Sequence, residues 1–198
     1  MTLNEFMQWL FQINTVQMWW YVTRSAGIIA YLLLWLSTVW GLAVPSKIFD
    51  KTLHGVYTFD FHQFISLLAI GFTMLHMGVL MLDKYLPYSL VQVLVPFTSA
   101  YRPVWIGIGI IAFWLMLLVT VTFYVRRQIG TRAFRVIHWL SFLAFIGAAL
   151  HGIFSGTDTP LWSMKLVYET TFISVVFLTV YWLVRGALGK IQASRQTA

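Results

Sequence analysis

The 198-residue chain contains no cysteine. That excludes disulfides, iron–sulfur clusters, thiolate nucleophiles and the thioether attachment of a c-type haem. Charge is almost as scarce, at 10% of residues, and only 6 residues are acidic. Hydrophobic runs occupy most of the length and leave no room for a separate nucleotide-binding domain. Apolar residues make up 60% of the chain and aromatics 18%, which is the composition of one integral-membrane bundle. A formal charge of +7 would suit nucleic acid in a soluble protein. In a chain this apolar it marks the cytoplasmic side of a membrane instead, and no nucleic-acid partner is expected.

Five stretches are long and apolar enough to span: Trp20 to Val44, His62 to Leu82, Pro103 to Val125, Val136 to Ser155, and Thr170 to Val184. Pro45 stops the first, and Pro103 opens the third at a position where a missing N–H does no harm. The expected fold is an all-α integral membrane protein, with residues 20–186 as the five-helix domain. Residues 1–19 place Phe6, Leu10, Ile13 and Val16 or Gln17 at helical spacing, with Thr2 and Glu5 as a capping box. This reads as a short amphipathic helix on the bilayer surface, in contact with lipid. It lacks the basic leader and continuous apolar centre of a cleaved signal peptide. Residues 187–198 form a polar tail expected to be disordered. The loop between spans two and three holds a short apolar run between prolines, too short to cross and expected to fold back as a lid.

Five crossings put the termini on opposite sides. The connections between spans one and two and between three and four, with the tail, carry Lys47, Lys51, Arg126, Arg127, Arg132, Arg135, Arg185, Lys190 and Arg195. The opposite face has Arg24, Lys84, Arg102 and Lys165. The positive-inside bias therefore puts the amino terminus outside and the carboxyl terminus in the cytoplasm, as in a bacterial cytoplasmic membrane.

Four histidines lie inside two of the spans, His62 and His76 fourteen positions apart, His138 and His151 thirteen apart. These intervals are about 21 and 20 Å of helix, so one imidazole from each helix falls at each of two depths. A histidine within a span is costly and usually has a partner or a task. Two facing imidazoles fill both axial positions of a haem, so the spacing predicts two non-covalent b-type haems with His62, His76, His138 and His151 as the iron ligands. Angle fits less well than height. Fourteen residues bring His76 within about 40° of His62, but thirteen leave His151 roughly 140° from His138 on an ideal helix. Gly147 is the expected point of irregular winding, unless the two haems approach this helix from different sides. His54 breaks the spacing and is read as non-ligating.

The His-x13-His and His-x12-His pair, with "TRSAGIIAYLL" on the preceding helix, "YRPVWIGIG" opening the next and "HGIFSGTDT" after the last histidine, resembles the ferric reductase-like transmembrane domain. That superfamily includes ferric reductases, NADPH oxidases and the haem subunit of the bacterial methionine-sulfoxide-reductase system. The resemblance covers roughly Trp20 to Arg185. It implies that His62 pairs with His138 around an inner haem and His76 with His151 around an outer one. It also makes Arg24 similar to an arginine that contacts the outer haem in the oxidases. Read from the chain alone, Arg24 would need a counter-ion, and a haem propionate is one candidate; snorkelling to the nearby surface is the other. Arg102 is placed to pair with the same propionates from the lid, or simply to be solvated. Arg132, Arg135 and Lys51 are candidates near the inner haem, though the topology bias alone accounts for most of that cluster.

Gly71 and Gly147 fall between the ligands of their helices, where a haem or a neighbouring helix can approach. Phe72, Trp139, Phe142 and Phe145 can wall the haems or simply pack, and Trp19, Trp20, Trp105 and Trp162 suit an interfacial belt. The flavin and nicotinamide domains of the oxidases are missing from this sequence. The expected function is therefore that of an oxidoreductase component, a dihaem membrane cytochrome. It would take electrons from a cytoplasmic flavoprotein or flavodoxin-like donor, with FAD present only in that partner. It would give them to an extracytoplasmic acceptor: ferric iron, dioxygen or a partner oxidoreductase. A quinone-reactive cytochrome b anchoring a larger dehydrogenase, and a haem-free proton-conducting transporter, are the alternatives.

Overall fold

The computed structural model describes residues 15–46, 55–83 and 87–196. Of the surface segment expected over residues 1–19, residues 15–19 belong to the first long helix and the rest lie outside the described residues, as do Lys47, Lys51, His54 and Lys84. Within them the fold is all-helical. In order, the helices are α1 (Thr15–Ala43), α2 (Gly55–Leu80), α3 (Leu90–Leu94), α4 (Pro103–Tyr124), α5 (Arg126–Ile129), α6 (Thr131–His138), α7 (Leu140–Ser155) and α8 (Trp162–Gln196). Five helical segments are long and apolar enough to cross a membrane, the fourth formed by α6 and α7 together. The chain is an all-α integral membrane bundle.

Pro103 stands at the first turn of α4 as expected. The last helix differs from expectation. It begins eight positions before Thr170 and continues to Gln196, so the tail is helical rather than disordered over residues 187–196. Lys165 and Glu169 in the added first turns sit at i, i+4 spacing, which a helix accommodates readily.

Packing follows sequence neighbours. α1 lies along α2, and α4 lies along α7. The two pairs join at mid-height through two clusters, one of Tyr31, Leu42, Phe145, Ala149 and Val175, the other of Ala69, Ile70, Phe113, Met116 and Ala144. Ala69 and Ala144 are fully buried, and Phe145 is 1% exposed. Ala69 stands seven positions from both His62 and His76, while Ala144 and Phe145 occupy the centre of the other interval. The tightest packing in the bundle therefore lies between the two histidine levels. α8 is peripheral. It is held to α1 by Tyr31 Oη and Thr171 Oγ1 at 2.6 Å and by Trp35 Nε1 donating to Ser174 Oγ at 2.8 Å, while Arg185 donates to the Ser46 carbonyl.

The loop after α2 folds back along the flank of α4. Ser89 and Gln92 form a reciprocal capping box on α3, which satisfies the first N–H groups of a helix too short to be stable alone. Trp114 Nε1 donates to the Leu94 carbonyl at 2.9 Å. Trp114 stands eleven positions beyond Pro103, so the loop reaches about 16 Å down the helix axis. Tyr88 anchors its start, and burial raises the phenol above its ordinary pKa, keeping this anchor neutral.

Candidate functional site: two facing histidine pairs

The structure brings the four histidines together as two pairs. His62 faces His138 with ring centres 6.2 Å apart, and His76 faces His151 at 6.4 Å, with interplanar angles of 71° and 75°. No hydrogen bond joins the rings of either pair among the described residues. A first-row metal holds a histidine nitrogen at about 2.0–2.1 Å, and the ring centre lies about 1.2 Å further on, so imidazoles on opposite sides of one metal ion have centres about 6.4 Å apart. Both separations match that requirement. Nor does any third donor complete a protein-only site, because no group of three or more His, Asp or Glu gathers among the described residues. The donor set therefore suits a metal whose remaining positions are filled by a ligand it brings with it, as an iron porphyrin does.

Hydrogen bonds fix which nitrogen faces the gap. His76 Nδ1 donates to the Thr23 carbonyl at 2.8 Å, and His151 Nδ1 donates to the Trp105 carbonyl at 3.0 Å. A carbonyl can only accept, so Nδ1 carries the proton and Nε2 keeps its lone pair for coordination. His62 Nδ1 lies 3.4 Å from Ser37 Oγ, itself 2.7 Å from Ser66 Oγ. His138 has no hydrogen bond among the described residues; its neighbour is the Phe134 ring at 5.4 Å.

The turn that brings His138 into line lies at Trp139, not at Gly147. Trp139 N–H bonds to Val136 O, and Phe142 N–H to Trp139 O, both three residues back. Such tightened turns advance about 120° per residue instead of about 100°, which reduces the mismatch expected of a thirteen-residue interval. Gly147 instead packs on α4, where a methyl group would come 3.1 Å from Ala112 Cβ. Gly71 faces away, with nothing within 4 Å.

Three other glycines touch the imidazoles. A methyl on Gly27 would come 3.0 Å from His76 Nδ1, one on Gly41 3.2 Å from His62 Cε1, and one on Gly109 2.5 Å from His151 Nδ1. Gly27 and Gly41 are fourteen residues apart on α1, the interval of His62 and His76 on its antiparallel neighbour. That matched spacing is the sequence signal for these contacts.

At the level of His76 and His151, Arg24 pairs with Asp158. Its Nη2 meets Oδ1, its Nε donates to Oδ2 at 2.6 Å, and its guanidinium lies 3.8 Å from the centre of the Trp20 ring. Asp158, in "HGIFSGTDT", is a partner that spacing alone did not identify. Arg102 has left-handed backbone with φ 41° and donates to the Phe154 carbonyl, close to the stacked Trp105 and Phe154 rings. Thr23 Oγ1 and Ser155 Oγ are buried without a hydrogen-bond partner among the described residues. At the level of His62 and His138 a cavity of about 240 Å³ is lined by Gly41, His62, Phe123, Arg126, Phe134 and His138. Arg132 and Arg135 are exposed and do not line it.

Comparison with known proteins gives no match to a family model, a curated protein or a solved structure.

Proposed function

We propose that this chain is a dihaem membrane cytochrome b of the ferric reductase-like kind, transferring electrons from a cytoplasmic flavoprotein to an acceptor outside the membrane. The observation that carries the reading is the separation of the two imidazole pairs, 6.2 and 6.4 Å between ring centres, with three of the four Nδ1 atoms hydrogen-bonded behind them. His62 and His138 would hold the inner haem, and His76 and His151 the outer one. When bound, each haem would supply a one-electron iron couple, and two imidazoles holding it would suit it to electron transfer and not to gas binding.

The chain's own part is to hold and orient. The carbonyls of Thr23 and Trp105 fix the outer imidazoles, and Gly27, Gly41 and Gly109 leave room for the rings. Ala69, Ala144 and Phe145 put buried apolar groups between the levels. The basic connections of spans one to two and three to four, with the tail, assign the His62 and His138 level to the cytoplasm by the positive-inside bias. An acidic flavodoxin-like donor would be steered to that face.

A pyridine haemochrome assay on the purified protein tests the reading. Two haems per polypeptide are expected, with His76→Ala keeping one. A protein with no Soret band, or a His76→Ala variant retaining both bis-imidazole spectra, would overturn it.

A further inference from the structure

Among the described residues, the cavity beside His62 and His138 has one cation on its lining and no acidic side chain. Arg126 stands just past the end of α4. Its guanidinium lies 3.9 Å from the centre of the Phe123 ring, and Nη1 donates to the Phe123 carbonyl at 2.8 Å. Arginine has five N–H donors, so four are left without a partner among the described residues. Two neutral groups share the lining. Gln63 Nε2 donates to Tyr124 Oη at 2.9 Å, and a phenol that accepts this bond still has its own proton to donate. Three donor groups, one of them permanently charged, thus line one cavity with nothing anionic among the described residues of its lining. A planar guanidinium stacked on an aromatic ring is well oriented for a bidentate carboxylate.

We propose that Arg126, assisted by Tyr124 and Gln63, is a carboxylate-binding site that anchors the propionates of the porphyrin held between His62 and His138. The inference rests on the dihaem reading and refines it, because the sequence pointed to Arg132, Arg135 and Lys51 for this task. The outer level is built differently, since Arg24 there already has the Asp158 carboxylate. A cation beside the inner iron favours its reduced, less positive form. The charge of residue 126 therefore sets both retention of the inner haem and its midpoint potential.

The test uses the full-length protein in lipid nanodiscs, as wild type, Arg126→Gln, Arg126→Lys and Arg132→Gln. Haem content is measured by pyridine haemochrome, and the two components are resolved by potentiometric titration. Arg126→Gln should weaken retention of the inner haem about ten- to hundredfold, the range of one charge-assisted hydrogen bond. The inner haem that remains should titrate at a more negative potential. Lysine keeps the charge but not the planar fork, so it should hold the potential near wild type and retain more inner haem than glutamine but less than arginine. Arg132→Gln should change neither value, and the outer component reports that the bundle is folded. Arg126→Gln matching wild type in retention and potential would overturn the proposal while leaving two haems per chain intact. So would lysine behaving like glutamine, which would make the role one of shape. A wild-type protein without haem would instead remove the reading beneath it.

Discussion

His76 Nδ1 donates to the main-chain oxygen of Thr23 at 2.8 Å, so a backbone atom of the first span sets the direction of a side chain on the second. His151 is held the same way by Trp105. The inner histidines are held more loosely, with a 3.4 Å contact for His62 and none for His138 among the described residues. Groups behind a metal-binding histidine are typically worth ten- to hundredfold in affinity. The inner haem is expected to leave first when the protein is titrated with apomyoglobin as a haem acceptor, read as loss of one of two Soret components. Equal release, or outer release first, would contradict this.

Gly109→Ala puts a methyl 2.5 Å from His151 Nδ1, and the ring must swing to admit it. The outer haem should be lost or its spectrum changed. Gly27→Ala, at 3.0 Å from His76 Nδ1, should act in the same direction but more mildly. Gly71→Ala meets nothing and should stabilise its helix by about 0.5–1 kcal/mol with both spectra unchanged. An inert Gly109→Ala would mean that His151 is not fixed where it lies.

Asp158→Asn leaves the Arg24 charge without its counter-ion in a site where the two side chains are 25% and 17% exposed. Because solvent still reaches the pair, the expected loss is about 1–3 kcal/mol, below that of a fully buried pair. The thermal unfolding midpoint in detergent should fall. A double-mutant cycle with Arg24→Gln should return most of that energy as coupling.

Tyr31→Phe removes a 2.6 Å hydrogen bond to Thr171 and frees the last helix on one side. Thr171 keeps the Tyr168 carbonyl as acceptor, so the cost should be about 0.6–1.7 kcal/mol, the range for such bonds inside membranes. Cross-linking or hydrogen exchange of α8 should report the loosening, while the histidine spectra stay as they were.

Much of this architecture was legible in the sequence because a bilayer imposes a length on its helices, and apolar runs bounded by Pro45 and Pro103 display it. The histidine pairing was legible for a similar reason, since two near-equal intervals on parallel helices must meet at two heights. Contacts that depend on rotation were not. The angular conflict at thirteen residues was visible, but its resolution at Trp139 was not, because tightened winding there has no marker as plain as glycine. The partner of Arg24 sits 134 residues away in a loop, beyond any helical periodicity. Position between the ligands points to Gly71 and Gly147, not to the glycines that touch the imidazoles. Those two lie between the ligands on the same helices, whereas the contacts come from the neighbouring ones.

Ala69, Ala144 and Phe145 lie midway between the two histidine levels at 1% exposure or less. The layer they form is methyl groups and one benzyl ring, with no hydrogen-bonding side chain among the three. Those groups offer an ion no ligand, whereas an electron can tunnel across them without displacing an atom. On the dihaem proposal, a reductant on one face could thus be discharged while the membrane keeps its ion gradients.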